Sequence, residues 1–162
     1  MKQITFDFDN LGGLAEIYAI PPSSFVRVRQ DYIKNRKVLE VKNREDIIAI
    51  PMFADDTFSF SEEHKRDDGG DYYQPTIEGV IPKIALENEE IIETLERGEW
   101  MVLSQDHNGV VHLSGNEDVL MTFSSNSTTT AAKNTRNQIA FKFECKSAEP
   151  SPILFMDDLM DI

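Results

Sequence analysis

The residues best suited to chemistry sit in one stretch, Trp100 to Phe123, WMVLSQDHNGVVHLSGNEDVLMTF. It holds an Asp-His pair, Asp106 and His107, and a second imidazole at His112. A carboxylate beside a histidine serves a general base or a metal centre, provided the groups aim at one point within hydrogen-bond reach. The local sequence points elsewhere. Asp106-His107-Asn108-Gly109 suits a type I turn, with Asp first and Gly fourth, inside a three-residue loop that closes on a left-handed Gly109. Pairing then runs Asp106 with Val110, Ser104 with His112 and Leu103 with Leu113. A two-residue Asn-Gly turn would set Leu103 opposite Ser114, so the apolar pattern selects the longer loop. On this register His107 lies at the tip and His112 on the face opposite the leucine pair, and the two diverge.

The remaining reactive groups are scattered. Asp55-Asp56, Asp67-Asp68 and Asp157-Asp158 offer oxygen donors to a hard cation, but DDGGD lacks the spacing of an EF-hand loop and solvated acids are the plainer reading. LGGL lacks the Lys-Ser/Thr of a phosphate loop, and neither G-x-S-x-G nor H-E-x-x-H occurs. Cys145 is the single cysteine, which excludes an intrachain disulfide and a thiolate zinc site within one chain. It alternates with Ile139, Phe141 and Phe143, as a buried strand residue does. No motif calls for a cofactor or a metal. Trp100, Tyr72 and Tyr73 are candidates for a sugar platform, though core and interface roles are commoner for such residues.

The elements that carry these residues are mostly strands. At 162 residues with 40% apolar and 28% charged side chains, the chain is expected to fold as one domain with a core. KQITFDFDN, FVRVRQ, KVLEV, DIIAI, TFSFS, DVLMTFS and QIAFKFECK show strand alternation. Glu16 to Ile20 is a short apolar segment that stops at Pro21-Pro22. Lys42 to Glu45 reads as a polar turn between two strands. EEHKRDDGGD predicts the tip of a long charged hairpin, about 58–75, returning through YYQPTIEGVIPKI. Pro75 and Pro82 predict that the returning strand is an edge or is interrupted. ALENEEIIETLERG predicts the one helix, about 86–97, with Ile91, Ile92 and Leu95 on one side and Gly98 as its C′ residue. Ser124 to Asn137 reads as a polar loop, and its Asn126-Ser127-Thr128 sequon as chance. The start shows no signal-peptide pattern, and no apolar run reaches the roughly 20 residues needed to cross a bilayer.

Charge is uneven. Of the net −13, residues 1–54 carry +1, residues 55–99 carry −10 and residues 100–162 carry −4. Arg27 to Arg44 holds seven basic residues against Asp31 and Glu40. An acidic chain is a poor tight binder of nucleic acid. A basic and an acidic segment on one chain suit complementary faces in a head-to-tail assembly.

The second half also carries a resemblance. Val102-Leu103, Asp106, Asn108-Gly109, Leu113, Gly115, Phe123, Arg136-Asn137, Phe141, Phe143 and Pro152 match, in order, a pattern of helix, V-L-V-x-D-x-N-G hairpin, L-x-F strand, R-N-G turn and phenylalanine-alternating strand. In this, residues 72–155 resemble small structural proteins of tailed phages and prophages of Bacteroidetes. Gln138 stands where that R-N-G has its glycine, which implies a different turn there. The resemblance implies a tail-tube, tail-terminator or connector-ring subunit, non-enzymatic, built as a β-sandwich or barrel with one flanking helix and long stitching loops. In such a channel the acidic bias would keep DNA from sticking.

The expectation is therefore a mainly β (α+β) fold, an antiparallel sandwich or barrel over 1–150, with a C-terminal tail at 151–162. The candidate subunit interface sets Arg27, Arg29, Lys34, Arg36 and Lys37 against Glu62, Glu63, Asp67 and Asp68. Expected partners are further copies of the chain and other virion proteins, with no membrane, in a virion or the host bacterial cytoplasm. The alternative is a β-sandwich binding module for a sugar, peptide or protein.

Overall fold

The computed structural model describes residues 12–32, 36–51, 58–82, 86–128 and 138–154. These form eleven strands and one helix. The strands are β1 (Leu14–Ile20), β2 (Phe25–Asp31), β3 (Arg36–Val41), β4 (Ile48–Ala49), β5 (Ser59–Asp67), β6 (Gly70–Pro82), β7 (Glu99–Asp106), β8 (Val111–Ser114), β9 (Met121–Thr128), β10 (Gln138–Glu144) and β11 (Ile153–Leu154). The helix α1 spans Leu86–Arg97. The fold is mainly β with antiparallel sheets in a sandwich-like arrangement, and it is not a closed barrel. The N-terminal KQITFDFDN segment, Asp55-Asp56, Lys34 and residues 129–137 and 155–162 lie outside the described residues.

One strand ties the two layers together. Glu99 and Trp100 of β7 pair with β9, which runs on through β10 and β6 to the edge strand β5. Met101 to Asp106 pair instead with β1, and residues 102–105 also with β8. β7 therefore leaves one layer and enters the other at Trp100. The chain turns the matching corner between β8 and β9 at Gly115. Its φ is 84°, and a Cβ there would meet the Trp100 carbonyl oxygen at 3.2 Å.

β7 is buried on both faces. Trp100 and Val102 join Ile17 and Ala19 of β1, and Ile77, Phe141 and Phe143, in the core between the layers. Met101 and Leu103 face a second core with Ile20, Leu39, Val111 and Leu113, covered by the β2–β3 ribbon. Two-sided burial explains the unbroken apolar run in WMVL, which simple alternation does not. α1 packs on β9 and β7, burying Ile92 and Leu95. Gly98 follows it as expected, but its φ is not positive. What the site requires is space: a Cβ would lie 2.7 Å from the Trp100 ring, whose indole N–H donates to the Leu95 carbonyl at 2.9 Å.

Several sequence expectations change. Glu16 to Ile20 is strand, extended back to Leu14. A bulge between Leu14 and Glu16 breaks the alternation that would have announced it. The polar turn at 42–45 joins no hairpin, because β3 pairs with β2 and β4 pairs with β1. Ser124 to Thr128 is not loop but the end of β9, paired residue for residue with β10. Backbone bonding holds it where side-chain composition gives no signal. Gln138 opens β10.

β6 is interior rather than an edge, lying between β5 and β10. The interruption expected from proline is present. Thr76 pairs with Glu144 and Tyr73 with Ser147 in the same register, which sets Pro75 opposite Cys145. The Tyr73 N–H donates to the Ser147 carbonyl at 2.8 Å, so the ring nitrogen two residues on faces the same side and has no proton to give. Pro82 is the last residue of β6.

Candidate functional site

The opening Asp-His cluster is a hairpin. The pairs Leu103–Leu113 and Ser104–His112 form as expected, and Gln105 pairs with Val111 in the same register. Asp106 donates its N–H to the Val110 carbonyl at 3.0 Å. Its Oδ1 accepts the N–H of Asn108 at 2.9 Å and of Val110 at 2.8 Å, and Gly109 is left-handed at φ 81°. Asp106 thus spends its carboxylate on the turn. His107 is exposed at the tip, while His112 is half-buried and stacked on Phe60 with ring centroids 4.4 Å apart. Among the described residues no three His, Cys, Asp or Glu side chains gather as a metal site.

Burial pushes the His112 imidazole below its usual 6.5, against the opposing pull of Glu62 and Asp106. Above about pH 6.5 the ring is neutral in both folded and unfolded chains. As pH falls below that value the unfolded chain takes up the proton first, so stability falls toward the folded pKa. His112→Phe keeps a ring on Phe60 and should flatten the dependence of unfolding free energy on pH below about 6.5. An unchanged slope would assign that dependence to other groups. Cys145 is half-buried against the core, and burial raises its thiol to about 11, which leaves it protonated and unreactive at neutral pH.

The aromatic candidates share no platform. Trp100 is buried in the core. The Tyr73 ring lies 4.9 Å from His64, and Lys146 Nζ sits 5.0 Å above Tyr72.

The described candidate interface residues lie on two ribbons, β2–β3 and β5–β6. Arg27 and Arg29 are exposed on β2, both donating to Glu40 of β3 at 2.8 and 2.6 Å. Those bonds, Arg27 first, hold the Glu40 carboxyl below its usual range. Arg36 opens β3 opposite Asp31, and Lys37 is exposed beside it. Glu62 sits at the base of the β5–β6 ribbon, where it accepts the Ser151 N–H at 2.8 Å. Glu63 pairs with Lys65 at 2.6 Å. Asp67 and Asp68 lie at the tip, where Asp67 Oδ1 accepts the Gly69 N–H at 2.8 Å.

The structure adds a feature that sequence reasoning missed. A cleft of about 600 Å³ opens between β2, the 115–118 turn and the 147–152 segment. One wall carries Arg27, Arg29 and Lys37, the other Glu117, Asp118 and Glu149, with Phe25, Val28 and Leu113 among the apolar lining. Its lining comes from stretches far apart in the chain, so no local motif announces it. The 147–152 wall is held in place by Pro152, whose carbonyl accepts the Leu113 N–H at 3.1 Å, and by β11, which pairs with β8. Of the expected tail, Ile153–Leu154 is thus strand. Among the described residues no helix is long and apolar enough to cross a membrane. Comparison with protein-family models, curated proteins and solved structures returns no match.

Proposed function

We propose that this chain is a non-enzymatic structural subunit of a phage or prophage particle, of the tail-tube, tail-terminator or connector-ring kind, acting through assembly with its own copies and other virion proteins. The observation that carries the reading is the β5–β6 ribbon. It pairs without a break from Ser59–Glu78 to Asp67–Gly70, whereas β10 stops at Thr76 and one isolated bridge, Tyr73–Ser147, follows. Residues 66–71 are all exposed. A two-stranded arm carried beyond its own sheet contributes little to its own core and suits contact with a neighbour. The unequal charge of the chain and the phage-like order of motifs support the same reading.

Charge reversal at Arg36 and Lys37 tests it. The double variant Arg36→Glu, Lys37→Glu should weaken self-association about tenfold or more at low salt, an effect that shrinks as salt screens the faces. Association that is the same for both proteins at every ionic strength would contradict it. The second reading, a β-sandwich binding module for a sugar, peptide or protein, is favoured by the cleft, whose volume falls within the range of ligand sites.

A further inference from the structure

We infer that the cleft receives the tip of the β5–β6 ribbon from a second copy of this chain. The inference rests on the assembly reading above and names the two surfaces that meet.

The cleft is a site with two signs. Arg27, Arg29 and Lys37 line one wall, and Glu117, Asp118 and Glu149 the other. A purely acidic or purely basic ligand would meet repulsion from one of them. The ribbon tip carries both signs in four residues: Lys65 and Arg66, then Asp67 and Asp68. Seated in the cleft, it sets Asp67 and Asp68 toward the arginine wall and Arg66 toward Glu117, Asp118 and Glu149. Charges so matched fix orientation as well as partner.

The tip's own contacts leave this open. Arg66 touches Asp71 at 3.5 Å with both side chains largely exposed, a pair of little net worth that a buried partner can replace. The tip cannot fill the cleft of its own chain. Pro75, at the ribbon's base, lines the cleft, and Asp68 lies seven residues further along the ribbon, roughly 20 Å away at strand rise. The bridge between Tyr73 and Ser147, with N–H to O distances of 2.8 and 2.9 Å in the two directions, fixes that base. Arm and cleft are therefore different patches of one surface, a heterologous contact. Repetition of such a contact closes a ring or extends a filament.

Cross-linking of the full chain tests the docking. In a Cys145→Ser background, Asp68→Cys places one thiol at the tip and Lys37→Cys places one on the basic wall of the cleft that Asp68 is seated against. A mixture of the two under mild oxidation should yield the disulfide-linked heterodimer. Its rate should exceed by about tenfold or more that of Asp68→Cys mixed with His107→Cys, an exposed position on another turn. The double variant Asp68→Cys, Lys37→Cys should give covalent multimers. Equal linking to both positions, or none, while light scattering still shows oligomers would overturn the docking and leave the assembly reading intact. A monomeric mass together with no linking would overturn both. An intrachain link in the double variant would overturn the docking in trans.

Discussion

Phe143→Ala is expected to lower the unfolding free energy by about 3–5 kcal/mol, the range for deleting a fully buried aromatic ring. Phe143 is wholly buried in the core between the layers. Its ring meets Phe123 edge-on at 4.9 Å and Phe141 at 6.0 Å, and on β10 it pairs with Ile77 of β6 and Phe123 of β9. Truncation would leave a cavity that rigid strands on both sides cannot collapse, and would remove both aromatic contacts at once. Since domains of this size are stable by only about 5–15 kcal/mol, the variant should lose roughly a fifth of that margin or more. Urea unfolding should show a lower midpoint with an unchanged slope. A loss below about 1.5 kcal/mol would mean that the layers do not close over this ring.

Gly79→Val is expected to cost about 3 kcal/mol, the upper end for overpacking. Gly79 is buried in β6 opposite Phe141, and a Cβ there would lie 2.3 Å from Phe58 Cδ1 and 2.9 Å from its Cγ. The obstruction is the body of a ring that itself packs on Phe141 at 5.5 Å, so it cannot swing aside cheaply. Phe58 occupies the space that the missing side chain leaves, which is why a glycine sits in the middle of a long strand. A double-mutant cycle checks the cause. In a Phe58→Ala background the same valine should cost less by about 1 kcal/mol or more, because the ring it displaces is gone. An equal cost in both backgrounds would place the strain elsewhere.

Much of this architecture could be read from local sequence, and the reason is visible in particular elements. The β7–β8 hairpin was legible because turn chemistry and apolar pattern agree on one register: Asp106 and Gly109 specify the loop, and Leu103 against Leu113 excludes the slip. The helix was legible from its spacing of Ile91, Ile92 and Leu95. The long charged hairpin was legible from its alternation and its glycines, and its two-residue turn, Asp68-Gly69, is short because Asp67 pairs directly with Gly70.

The parts that were not legible depend on contacts far apart in sequence. β1 hides behind a bulge. The polar end of β9 is strand because β10 lies beside it, and serine and asparagine say nothing of that. Which strands join which layer follows from β7 changing partners at Trp100, a corner that needs Gly115 fifteen residues later. The cleft was beyond sequence reading for the same reason. Arg27 and Arg29 could be flagged as basic, but neither their bonds to Glu40 nor the facing acids at 117, 118 and 149 follow from any window of the chain.

The central claim is self-assembly, and native molar mass measured by light scattering during size-exclusion chromatography, across protein concentration and salt, tests it most directly. The account predicts a mass that is a closed-ring multiple of 18.5 kDa, or one that grows with concentration and falls as salt rises. A mass of 18.5 kDa at every concentration and ionic strength would contradict it.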